Sequence, residues 1–224
     1  TAYEISLGLV GSEMCIRDSF RSISQRINQA RKEADMRIIA GSRRGAILTK
    51  LDAVKTRPTA DRVRESLFNI LQASRFQGLL ADSQVIDVFA GTGALGLEAI
   101  SRGAAFVSFI ENDAAALAVL RANITKLRFQ SSAAILAANA TNLVHWRAAP
   151  ANLVFADAPY QTGGGVLAIN ALAKIGALGD AAVIIIETAK TEIMDSDALA
   201  AGLTPIDQRN YGKALLNFLT YQKP

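Results

Sequence analysis

Apolar positions fall into one pattern from residue 85 onward and a different pattern before it. Runs of strand length at 85–89, 105–111, 132–138, 151–156 and 182–187 are apolar almost throughout, as strands buried on both faces are. Between and after them, segments 94–102, 113–127, 140–147, 164–176 and 195–200 carry apolar residues at helical spacing. Strict alternation of the two predicts a parallel sheet with helices on both faces. The chain's end breaks that rhythm. Leu203–Asn210 and Ala214–Tyr221 are two extended runs joined by Tyr211-Gly212-Lys213, which predicts an antiparallel hairpin at a sheet edge.

Upstream, a helix is predicted from about residue 60 to 73, with Val63, Leu67, Ile70 and Leu71 on its apolar stripe. Arg62, Arg64 and Glu65 fall mostly off that stripe, and Thr59 is placed to cap the helix. Two short β-prone segments, 37–40 and 46–49, flank Gly41-Ser42-Arg43-Arg44-Gly45 and predict a hairpin with arginines at its tip. Residues 1–35 are expected to be a non-native or disordered leader. Within them Leu9–Ser19 resembles a translated sequencing adapter, and Met36 reads as a natural start. The expected organisation is therefore a leader (1–35), a hairpin appendage (36–58) and a main domain (59–224).

Composition narrows the chemistry. One cysteine and one histidine leave no material for a disulfide framework or a His/Cys zinc site, so no metal is expected. The lone Cys15 fits a reducing, cytoplasmic compartment. No run of 18 apolar residues occurs, so no membrane span is predicted. The net charge of +4 is unevenly spread: residues 20–75 hold 13 Lys/Arg against 5 Asp/Glu, and residues 76–224 hold 10 against 12. A basic first third on a near-neutral body suits a polyanion, or else a solvated helical face.

Asp87-Val88-Phe89-Ala90-Gly91-Thr92-Gly93-Ala94-Leu95-Gly96 runs from a strand through a glycine turn into a helix. Such a turn lets the backbone approach a nucleoside cofactor closely. Glu111 follows Gly91 by twenty residues at the end of the next strand, where an acid can accept ribose hydroxyls. The pattern fits a dinucleotide as well as S-adenosylmethionine. Asp87 favours the latter, being awkward beside a pyrophosphate and useful near a cationic methionine, and the terminal hairpin favours it too. Asn112 follows Glu111, Asp113 is placed to cap the next helix, and Asn139-Ala140 end the third strand, where the Asn139 amide can either reach an adenine edge or cap the helix that follows.

The second signal is Asp157-Ala158-Pro159-Tyr160 at another strand end. An exocyclic base amine is a weak nucleophile because its lone pair is delocalised into the ring. A carboxylate and a backbone carbonyl accepting its two N–H groups orient that lone pair, Pro159 stiffens the turn, and Tyr160 offers a stacking face. The residues also fit an ordinary strand-ending turn.

Together with Met36–Gly41, Arg57-Pro58-Thr59-Ala60-Asp61-Arg62-Val63-Arg64-Glu65-Ser66-Leu67-Phe68-Asn69 and Arg209–Lys213, these motifs resemble the RsmD family of bacterial 16S rRNA guanine-N2 methyltransferases. One departure stands out: the family's usual Asp-Pro-Pro-Phe/Tyr has Ala158 in place of its first proline. The resemblance implies a Rossmann-like class I methyltransferase fold, a seven-stranded mostly parallel sheet with a C-terminal antiparallel hairpin and an N-terminal appendage that engages RNA. It implies S-adenosylmethionine as donor, a guanine N2 amine of 16S rRNA as acceptor in the 30S subunit or its assembly intermediate, and a monomeric enzyme. The site residues it implies are Asp157, Ala158, Pro159 and Tyr160 for catalysis. Asp87, Phe89, Ala90, Gly91, Thr92, Gly93, Gly96, Glu111, Asn112, Asn139 and Ala140 are implied for the cofactor, and Arg43, Arg44, Arg57, Arg62 and Arg64 for RNA phosphates. The residues themselves leave open a DNA or other RNA base-amine methyltransferase, an NAD-dependent oxidoreductase, and a non-catalytic RNA-binding assembly factor.

Overall fold

The computed structural model describes residues 36–51, 58–73, 76–159, 163–192 and 194–224. The expected leader 1–35, Arg57 and Tyr160 lie outside the described residues. Helix α1 spans Pro58–Gln72, followed by β1 (Gln84–Val88), α2 (Ala94–Ser101), β2 (Phe106–Glu111), α3 (Ala114–Leu127) and β3 (Ala133–Ala137). The second half holds β4 (Ala151–Asp157), α4 (Gly164–Lys174), β5 (Leu178–Ala189), β6 (Leu203–Tyr211) and β7 (Ala214–Tyr221). The seven strands form one sheet in the order β3-β2-β1-β4-β5-β7-β6. The first five are parallel, and β7 lies antiparallel between β5 and β6. Among the described residues no helix is long and apolar enough to cross a membrane.

Successive side chains of a strand point to opposite faces, and the core divides accordingly. Val85, Val107, Phe109, Leu153, Phe155, Ile185 and Phe218 pack with Leu67, Phe68 and Leu71 of α1, Leu97 of α2 and Leu120 of α3. Their alternates Ile86, Val88, Val154, Ile184 and Leu219 pack with Ala168, Ile169 and Leu172 of α4. The inner strands β1, β2, β4 and β5 read as nearly unbroken apolar runs because both neighbours in the alternation are buried, whereas the equally apolar edge strand β3 is half-buried to exposed.

Several local expectations shift. Helix α1 begins at Pro58, since proline is preorganised for a first helical position, and this leaves Thr59 inside the first turn. The helix expected at 140–147 shrinks to a single 3₁₀ turn, Ala140–Asn142, capped by the Asn139 side chain. That expected at 195–200 shrinks to Ser196–Ala198, capped by Asp195. Strand β5 starts four residues before its expected beginning. Gly179-Asp180 mimics a turn there, and the ladder bends at a register shift against β4.

Residues 36–48 fold back through a single antiparallel bridge, Arg37 to Ile47, around a 3₁₀ turn at Gly41–Arg43. Ile38 and Leu48 bury into the core beside α1–α3. The buried Glu98 carboxylate of α2 accepts the N–H groups of Ile39 at 2.7 Å and Ala40 at 3.0 Å, and pairs with Arg102 at 2.6 Å. A Cβ on Gly41, whose φ is +82°, would lie 1.7 Å from the Ser101 carbonyl oxygen, so only glycine permits this approach.

Gly96 lets α2 rest on β2: a Cβ there would lie 2.4 Å from Phe109 Cε1 and 2.8 Å from Val107 Cγ1. Gly96→Ala is expected to cost roughly 1–3 kcal/mol through overpacking, read as a lowered urea midpoint; an unchanged midpoint contradicts this packing.

Candidate active site

Parallel pairing of β1 with β4 places Val88 opposite Ala156. The chain leaving β1 through the glycine turn and the chain leaving β4 through Asp157-Ala158-Pro159 therefore emerge side by side. This is also where the strand order reverses, the usual crevice for ligands in open α/β sheets.

On the β1 side, Phe89 turns the chain out of the strand at φ +59°, a left-handed conformation that costs a non-glycine residue about 1–2 kcal/mol. The Ala90 N–H donates back to the Ile110 carbonyl at 3.1 Å, and Gly93 N–H to the Ala90 carbonyl at 2.7 Å. Gly91 and Gly93 hold φ of +55° and +81°. A Cβ on Gly93 would collide with Leu120, whereas one on Gly91 would meet only a carbonyl oxygen at 3.9 Å. Gly91 therefore presents bare backbone to open space, as approach by a nucleoside cofactor requires.

Glu111 closes this loop. One carboxylate oxygen accepts Gly91 N–H at 2.8 Å; the other accepts Asn112 N–H at 2.8 Å and Asp113 N–H at 2.9 Å. A carboxylate offers about four lone-pair positions, so Glu111 has room for one further donor. Accepting both ribose hydroxyls requires it to release a backbone partner. Asn112 is exposed, and Asp113 caps α3 by accepting Ala116 N–H at 2.8 Å. Exposed Asn139 accepts from Thr141 through its carbonyl oxygen, beside buried Ala140.

Asp87 acts at one remove. It is 1% exposed, and its Oδ2 accepts Gly96 N–H at 2.8 Å in the first turn of α2. It thus aims the helix that the glycine loop opens. Burial above all pushes its carboxyl up to about 8; the Gly96 bond opposes the rise, and the Asp157 and Glu111 carboxylates add to it.

On the β4 side, Asp157 ends the strand and is exposed, Ala158 is buried, and Pro159 is exposed. The protein around its inner side, and then the Glu187 carboxylate, push Asp157 up to about 7; water on the open side works against that rise. Glu187 is the register partner of Asp157 on β5. It was missed as a candidate although it ends the apolar run Val183–Ile186 much as Glu111 ends its own. A cavity of about 320 Å³ opens beside this corner, with Ala158, Pro159, Ile186, Glu187 and Met194 in its wall.

The arginines separate into different roles. Arg44 and Arg62 are exposed. Arg43 is half-buried, donating to the Leu127 carbonyl at 2.8 Å with its guanidinium over the Phe129 ring. Arg64 corrects the expectation that it faces phosphates: it is 6% exposed and donates to the Arg37 carbonyl at 2.8 Å, fastening α1 to the N-terminal segment.

A seven-stranded sheet with this order, its antiparallel last pair and a glycine loop with an acid at the next strand end define a class I methyltransferase fold. Residues 36–220 match the family model described as Conserved hypothetical protein 95. Ribosomal RNA small subunit methyltransferase D of Escherichia coli K12 is 41% identical over 153 residues, 68% of this chain and 74% of that protein. Its counterpart in Haemophilus influenzae is 36% identical over 171 residues, 74% of this chain and 85% of the relative. The solved structure of the Escherichia coli yhhF protein superposes with a TM-score of 0.72 at 32% identity, covering 85% of this chain and 99% of that one. The chain belongs to the RsmD methyltransferase family.

Asp87 binds its proton more tightly folded than unfolded, so between about pH 4 and about pH 8 the folded state holds the extra proton and stability falls as pH rises. Asp87→Asn, which still accepts from Gly96, is expected to flatten this slope in urea unfolding at about pH 5 and about pH 8. An unchanged slope contradicts the assignment.

Proposed function

We propose that this protein transfers a methyl group from S-adenosylmethionine to the exocyclic N2 amine of a guanine in 16S rRNA, presented by the 30S subunit or its assembly intermediate. The reading rests on one observation above all: the glycine loop and the Asp157 corner leave adjacent strands at the same end of the sheet. It is supported by the family, whose named members include rRNA small subunit methyltransferases.

The loop residues Phe89, Ala90, Gly91, Thr92 and Gly93 hold the cofactor through bare backbone, with Gly96 seating the helix behind them. Glu111 and Asn112 hold its ribose, and Asn139 and Ala140 border its base. When bound, the cofactor would supply an electrophilic methyl carbon, the C–S bond breaking to leave the neutral thioether S-adenosylhomocysteine. Asp157 and the Ala158 carbonyl accept the two N–H groups of the guanine amine, turning its lone pair toward that carbon. Asp157 takes up the proton late, once methylation has made the nitrogen acidic. Pro159 fixes the turn, and Tyr160 is assigned the stacking face, worth on the order of 1–3 kcal/mol. The base reaches the site only when unpaired or flipped, and most of the acceleration comes from holding two reactants in attacking geometry. Arg44, Arg62 and Arg57 contact phosphates, with the remaining donors of Arg43 beside them.

Incubation with labelled methyl donor and undermodified 30S particles is expected to yield N2-methylguanosine by nucleoside mass spectrometry. Incorporation into duplex DNA in its place overturns the substrate. Asp157→Ala is expected to lower kcat by at least about 100-fold while remaining folded. The wild-type rate should rise with pH through about 7 as Asp157 ionises; near-normal turnover of the variant removes this carboxylate from the mechanism.

Arg44→Gln and Arg62→Gln are each expected to weaken 30S binding and to reduce the slope of log affinity against log salt by about 0.7–0.9. Unchanged slopes place the RNA elsewhere.

A further inference from the structure

Asn123 lies in the middle of α3 and is fully buried. A side-chain amide in that position destabilises the fold unless its donors and acceptor are matched. Here they are matched across two other parts of the chain. Its Oδ1 accepts Thr49 N–H at 2.7 Å, and its Nδ2 donates to the Thr49 carbonyl at 3.1 Å and to the Thr92 carbonyl at 2.9 Å. The Thr49 bonds grip the outgoing arm of the N-terminal segment as a neighbouring strand would, and the remaining bond reaches the centre of the glycine loop. A second tie joins the same two parts: Thr92 Oγ1 donates to Met36 Sδ at 3.4 Å. Both arms of the segment therefore end on groups bonded to Thr92, while exposed Arg44 sits at its far tip.

We infer that Asn123 is a positioning residue that makes the N-terminal segment part of the cofactor site, so that RNA on the segment and the nucleoside cofactor on the loop strengthen each other's binding. This rests on the functions proposed above for segment and loop. RNA engaging the tip stabilises the docked form of the segment. The docked segment fixes Thr49, Thr49 fixes the Asn123 amide, and the amide holds the Thr92 carbonyl. With that carbonyl held, the left-handed glycines on either side of Thr92 are set before the cofactor arrives, and less order remains to be imposed on binding. Linkage of this kind is reciprocal: cofactor on the loop tightens RNA by the same factor. A purely structural role for the amide leads elsewhere, to lost stability with the linkage intact.

The test is equilibrium dialysis of radiolabelled S-adenosylhomocysteine against the full chain, with and without undermodified 30S particles. In the wild type, particles are expected to tighten S-adenosylhomocysteine at least about fivefold. Asn123→Ala is expected to abolish that gain while each ligand still binds alone. It should also speed amide hydrogen exchange at Thr92 and Gly93 in the unliganded protein. Leu172→Ala, buried against the opposite face of the sheet, serves as the stability-matched control and should retain the gain. Should Asn123→Ala fail to fold, Asn123→Ser, too short to span Thr49 and Thr92 together, takes its place. Wild type that binds S-adenosylhomocysteine with no gain from particles, or a variant that keeps the gain, overturns the inference and leaves the cofactor assignment standing. No binding of S-adenosylhomocysteine by wild type overturns both.

Discussion

Val88 stands opposite Ala156 because β1 and β4 run parallel side by side, and both halves of the site follow from that register. Each strand delivers its last residues to the same rim, one into a glycine turn and the other into an acid-bearing corner. A one-residue slip would turn Asp87 and Asp157 to the other face of the sheet. The register is held from both sides, since Val85, Leu153 and Phe155 bury on one face and Ile86, Val88, Val154 and Ala156 on the other. The chemistry of the rim is therefore underwritten by packing several residues deeper.

The second organising feature is acidity. Asp87, Glu111, Asp157 and Glu187 all arise at strand ends along this rim, and the electrostatic influence of Asp157 and Glu111 reaches Asp87. In Asp87 and Asp157 burial above all, and then the neighbouring carboxylates, favour the protonated form. Of the arginines, Arg44 is exposed at the tip of the N-terminal segment and Arg62 is exposed on α1.

Much of this was legible in the sequence because the signals are local. Strands buried on both faces read as continuous apolar runs, glycines at Gly91, Gly93 and Gly96 mark a turn and a close helix approach, and Gly212 marks the terminal hairpin. What escaped was set by partners distant along the chain. Arg64 looks like a surface position on an amphipathic helix, yet its guanidinium serves the Arg37 carbonyl 27 residues away. Glu98 and Asn123 look like ordinary polar positions on helices, and their partners lie about 58 and 74 residues upstream. Nothing in the local spacing announces such bonds. The 3₁₀ turn at Ala140–Asn142 was overread because apolar spacing continues past the point where the Asn139 cap and the backbone end it.

Ala158 has a consequence beyond its side chain. Where the family's usual proline has neither a free φ nor an N–H, this chain keeps both. Replacing a compatible proline by another residue enlarges the set of conformations available before ordering, an entropic difference of about 0.4–1 kcal/mol. Burial of the Ala158 methyl near Gly165 of α4 offsets part of that freedom. The corner thus carries an extra hydrogen-bond donor and one more rotatable backbone angle than a proline would leave it.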